Sequence, residues 1–168
     1  NKGRFLENKN AYINWKFEIN LQKSNLEIMT GSLMQIDESS FYLEGNANFS
    51  KPKKLMLTIS NQAINYDLAT TVVTKKIASK LKRFKWNGNF NTNVNIIAYM
   101  DTFGIQPVIV VKATPDTSIN MVFDSLNIDR IKFNGTFTNH ADILLPPGDN
   151  NSQIIFEKII ASIEGLPA

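Results

Sequence analysis

A chain of 168 residues with 43% hydrophobic and 20% charged side chains is long enough for one real core and too apolar for a disordered segment. Its net charge of +3 is small and its cations are scattered among acids, which argues against a nucleic-acid partner. It has no cysteine, so disulfides and thiolate metal sites are excluded, and no apolar stretch reaches the length that crosses a bilayer as a helix.

In chain order, Ala11–Leu21 alternates cleanly, with Ile13, Trp15, Phe17, Ile19 and Leu21 against Tyr12, Asn14, Lys16, Glu18 and Asn20. A period of two belongs to a strand with one apolar and one wet face. Lys23-Ser24-Asn25 is a turn, and Leu26–Ile36 is the next strand. Asp37-Glu38-Ser39-Ser40 turns into Phe41–Phe49, and Ser50-Lys51-Pro52-Lys53 turns into Lys54–Ser60. Short polar turns between alternating runs describe an antiparallel meander.

Asp67–Arg83 breaks the pattern. Leu68, Val72, Val73, Ile77 and Leu81 follow helical spacing, Asp67 suits an N-cap, and Lys80, Lys82 and Arg83 suit the C-terminal end of the dipole. The expectation is one amphipathic helix packed on the sheet, with a basic helix on an anionic membrane as the other use. Phe84–Met100, Pro107–Thr114, Thr117–Phe123 and Ile128–Asn139 resume as strands, with a Pro115-Asp116 turn between two of them. Gln153–Leu166 fits a helical stripe and a strand face equally, and periodicity alone does not decide.

Residues 86–96 carry the clearest pattern. Asn87, Asn89, Asn91, Asn93 and Asn95 share one face, and Trp86, Gly88, Phe90, Thr92, Val94 and Ile96 share the other. Asparagine is a poor strand former, so the apolar face must supply the stability. Phe84-Lys85-Trp86-Asn87-Gly88-Asn89-Phe90 repeats as Ile131-Lys132-Phe133-Asn134-Gly135-Thr136-Phe137. It returns more weakly in Phe41–Ala47, and as a fragment in Ala161–Gly165. Glycine always falls on the apolar face, where it marks a bend, a bulge or a close approach to the backbone. Four such positions lead to a sheet curled around its apolar side.

Titratable residues supply little chemistry. His140 is the one histidine and lies in the loop Asn139–Asp149, with no second ligand or nucleophile type to complete a zinc site or a triad. Asp37-Glu38 reads as turn chemistry, and no glycine-rich phosphate loop or acidic metal loop is present. No enzyme activity, metal or cofactor is expected.

Leu81–Val94, the run Ile119–Asn139 with its "FNGTFTNH", the Pro-Pro-Gly-Asp loop and the closing "NSQIIFEKIIASIEGLPA" together resemble AsmA-like envelope proteins, relatives of TamB. The likeness is best over Asp67–Ala168. It implies a single mainly β domain over residues 1–168, a curved antiparallel sheet forming an open, taco-like groove with one helix. It also implies that Gln153–Leu166 is a strand. The family's role in outer-membrane biogenesis and intermembrane phospholipid transport implies an acyl-chain ligand, adjacent segments of a longer parent protein as partners, and a periplasmic location. The parent's inner-membrane anchor would lie outside this segment, in keeping with a chain that opens on Asn1. The inward, lipid-facing set is then Trp15, Phe17, Ile19, Phe41, Leu43, Phe49, Trp86, Phe90, Val94, Ile131, Phe133 and Phe137. The rival reading is a self-contained β-sandwich for adhesion or carbohydrate binding, with closed edges and no continuous trough.

Overall fold

The structure, a computed structural model, describes residues 10–71, 84–101, 106–123 and 125–163. It is mainly β: β1 (Ala11–Asn14), β2 (Phe17–Asn20), β3 (Asn25–Ile36), β4 (Ser39–Asn48), β5 (Lys54–Asn65), β6 (Phe84–Asn87), β7 (Asn89–Tyr99), β8 (Val108–Pro115), β9 (Ile119–Phe123), β10 (Leu126–Thr138) and β11 (Gln153–Ile163). All eleven belong to one open, curved antiparallel sheet in the order β1-β3-β4-β5-β7-β8-β10-β9-β6, with β2 also on β3 and β11 on the far side of β10. β1 and β2 pair with opposite ends of β3, and β8 and β9 with opposite ends of β10. β6 runs into β7 through Gly88. The sheet is therefore a meander of eight passes, each beside its neighbour in sequence, as the alternating pattern and short turns require.

The expected strands are all present, with changed limits. Ala11–Leu21 is split at Trp15-Lys16, and Phe84–Met100 at Gly88. β5 runs to Asn65 rather than Ser60 because a bulge at Ala63, φ 68, lets it keep pairing with β7 as far as Asn89. Gln153–Ile163 is a strand, paired antiparallel with β10 from Gln153 to Ile163 with breaks in register about the bulge at Lys158.

The helix is corrected. Among the described residues it spans Tyr66–Thr71, and the rest of the expected segment, including Val72, Val73, Ile77 and Leu81, lies outside them. The cap is Asn65, not Asp67: Leu68 N donates to Asn65 Oδ1 at 2.7 Å. Leu68 is buried in the core, as its place on the apolar stripe predicts.

The core gathers Ile36, Phe41, Ile64, Leu68, Phe90, Ile119, Ile131 and Phe133 at one end of the sheet. Rings from β7 and β10 meet there at 6.2 Å (Phe90–Phe133), although strands two apart in a flat sheet lie roughly 10 Å from each other. The sheet is thus bent toward its apolar face. Gly45 allows one such bend, because a Cβ there would meet the β5 backbone at Met56 O and, at 3.0 Å, Leu57 Cα. Gly88, φ +147, allows another, because a Cβ would stand 2.9 Å from Ile119 Cβ.

Candidate functional site: an apolar trough

The registers place side chains on the inner face in rows that each cross five or six strands. One row holds Leu43, Ile59, Val94, Val111, Phe137 and Ile154. The next holds Phe17, Ile28, Gly45, Leu57, Ile96 and Ile109. Beyond it lie Ile19, Leu26, Ala47, Leu55 and Ala98. Leu26, Ile28, Leu55, Leu57, Ile59, Val94, Ile96, Ile109, Val111 and Phe137 are only half-buried. They line a trough whose apolar wall stays open to solvent.

The outer face carries the asparagines of β7, beside an apolar row of Met56, Ile97 and Val108. Thr58 Oγ1 donates to Asn95 Oδ1 at 3.0 Å, and Asn95 Nδ2 to Asn93 Oδ1 at 2.8 Å. The asparagine ladder therefore lies on the back of the sheet.

Aromatic rings and α1 (Tyr66–Thr71) close one end. Phe84–Phe123 stack at 5.0 Å, Trp86–Phe133 meet at 5.3 Å, Trp86–Phe90 at 5.9 Å edge-on, and Phe133–Phe156 at 5.1 Å edge-on. Burial, with a smaller effect from the Asp67 charge, pushes the Tyr66 phenol up to about 12. On the inner face of this end sits Asn61, 2% exposed. Its Nδ2 donates to Ser40 O at 2.7 Å, which fixes the amide and leaves Oδ1 without a partner.

The expected lipid-facing residues divide into three groups. Phe41, Phe90, Ile131 and Phe133 are core residues of the closed end, and Leu43 is buried beside them, so their side chains pack on protein. Trp86, Val94 and Phe137 are half-buried, Trp86 against the core and the other two on the trough wall. Trp15, Phe17, Ile19 and Phe49 are exposed, at 47–57%, the first three along the free β1/β2 edge. The edge strand β11 is equally bare, with Ile154, Phe156, Ile159 and Ile160 at 49–65%.

Of the mid-trough wall, Ile96 is placed on the apolar face by the alternation of residues 86–96, whereas Leu55, Leu57, Ile109 and Val111 were not singled out in sequence. Val108–Val111 is an unbroken apolar run, which does not say which residues face inward. Ser32 was missed as well. It is fully buried, accepts from Lys16 N at 2.9 Å and donates to Lys16 O at 3.0 Å, holding the break between β1 and β2 to β3.

Among the described residues no three histidine, aspartate or glutamate side chains gather as a metal site, and no helix is long and apolar enough to cross a membrane. His140 N donates to Thr138 Oγ1 at 3.1 Å as the chain enters the β10–β11 loop. No family model, curated protein or solved structure matches the chain.

Proposed function

We propose that the chain is a non-catalytic groove segment that shields acyl chains, the role its resemblance to AsmA-like proteins implies. The observation that carries this reading is the half-buried aliphatic wall that runs over several strands of the inner face, on a sheet whose back carries the asparagine ladder. Apolar surface left open over several strands is unfavourable unless something covers it. An acyl chain laid along the trough would gain about 0.8 kcal/mol for each methylene it buries there. The two exposed, apolar edge strands are where flanking segments of a longer parent sheet would add. In that family such a segment works in the periplasm, moving phospholipid between membranes.

The rival sandwich needs a second sheet facing the first. The described strands form one sheet, so that reading has no architectural support.

The test is lipid retention. Protein purified without detergent and extracted into organic solvent is expected to yield phospholipid by mass spectrometry, and to bind cis-parinaric acid with a blue-shifted, enhanced emission that phospholipid displaces. Absence of both lipid and probe binding would remove the proposal.

A further inference from the structure

The two ends of the trough differ. Following the meander, the closed end holds the Asp37-Glu38 turn, the Asn65–Tyr66 junction and the β9–β10 connection, while Asp116–Ser118 is a break within the pass formed by β8 and β9. At the other end stand the described residues 21–24, 49–53, 100–101, 106–107 and 139–152. The three most exposed large hydrophobic residues described all stand at this second end: Leu144 at 88%, Leu21 at 85% and Ile143 at 82%. Phe49, Tyr99, Met100 and Leu145, at 43–52%, stand there too.

These side chains are held outward by the fold. Asn151, buried at the base of the β10–β11 loop, donates through Nδ2 to Asp142 O at 2.8 Å, Leu145 O at 3.1 Å and Pro146 O at 3.2 Å, and accepts from Asp142 N at 2.8 Å. Asp142 Oδ1 accepts from Leu144 N at 2.9 Å. Asn139 fastens the other arm of the loop to β8, accepting from Ile109 N at 2.7 Å and donating to Pro107 O at 2.9 Å. A buried polar network thus fixes a loop that presents two aliphatic side chains to water. On the neighbouring turns, Phe49 N donates to Ser24 O at 2.8 Å, tying the Leu21 and Phe49 loops together.

From this arrangement we infer that the open end of the trough docks on a lipid bilayer, with Leu21, Phe49, Ile143 and Leu144 inserted at the headgroup–acyl boundary. The inference deepens the acyl-shielding proposal and rests on it for its purpose: chains leaving the bilayer would enter the trough beside the loops that grip it. Apolar side chains protruding from three loops, Leu21, Phe49 and the Ile143-Leu144 pair, fit a fluid apolar phase better than the flat, packed core of a protein interface. Lys23, Lys51, Lys53 and Lys54 flank them, against Asp101, Asp142 and Asp149 at the same end. The charge is therefore nearly balanced, and apolar insertion is the main attraction.

The experiment is co-sedimentation of the full chain with sucrose-loaded vesicles of phosphatidylethanolamine and phosphatidylglycerol. Ile143→Ser with Leu144→Ser, both at exposed positions, should lower the partition coefficient by about ten-fold, and adding Leu21→Ser should lower it further. Tyr12→Ser, 58% exposed at the closed end, should leave it unchanged. A bimane label on residue 144 should blue-shift on vesicles and be quenched by lipids brominated near the headgroup. Failure of the unaltered chain to sediment, equal loss in the Tyr12→Ser control, or an unshifted label would overturn the inference. Parinaric acid binding, measured without vesicles, separates the two proposals. Probe uptake without vesicle binding leaves the trough and removes the docking end, and vesicle binding without uptake does the reverse.

Discussion

Gly88 and Tyr66 show how single residues set the closed end. Gly88 sits where β6 becomes β7, at φ +147 and against Ile119, a residue only 2% exposed. Gly88→Ala combines a backbone that side chains rarely adopt with a methyl in occupied space, so it should destabilise the fold by roughly 2–4 kcal/mol. Gly148→Ala is the control: its nearest neighbour to an added Cβ is Gln106 Oε1 at 3.7 Å, and thermal unfolding should barely move. Equal melting shifts for the two would show that the Gly88 contact is not tight. Tyr66 makes a pH prediction. Its phenol is raised from 10.0 to about 12, so the folded chain keeps a proton that the unfolded chain releases. The stability this lends is complete below pH 10.0 and is lost as the pH rises through about 12. In absorbance at 295 nm, a tyrosinate step should appear near pH 12, and Tyr66→Phe should remove it.

At the scale of strands, the break between β1 and β2 depends on one hydroxyl. Ser32 supplies the donor and acceptor that the ladder lacks at Lys16, with both bonds buried. Ser32→Ala should cost about 1–3 kcal/mol. It should also speed amide exchange in Ala11–Asn20 while leaving β7 and β10 protected. Uniform loss of protection would show that the edge is not a separable unit. The same region marks the limit of what is legible in the sequence. Alternation along Ala11–Leu21 and Trp86–Ile96 identifies strands and faces because each side chain's side is set by its own parity. Gln153–Ile163 satisfied two periods, and only its pairing with β10 decides between them. Bulges at Ala63, Arg130 and Lys158, all at positive φ, left no trace because a bulge is a property of two strands in register. The helix cap at Asn65 follows from β5 running five residues further than its alternation suggested.

For the molecule as a whole, the repeated glycines already implied a curled sheet, since each stands on the apolar face. What curled there was less legible. The aromatic members of the repeat, Phe41, Phe90 and Phe133, are the most conspicuous residues in the sequence, and they fill the closed end. The open wall is built from plainer aliphatic residues such as Leu57, Ile96 and Val111, whose half-burial depends on how far the sheet bends. The central claim is that this inner wall, and not the asparagine-bearing back, meets acyl chains. Adjacent residues on β8 offer the sharpest comparison: Val111 faces the trough and Lys112 is exposed on the other side. A benzophenone amino acid placed at either position, followed by irradiation with vesicles of phosphatidylethanolamine and phosphatidylglycerol, should give a phospholipid adduct from residue 111 and none from residue 112. Equal labelling at both, or labelling at 112 alone, would contradict it.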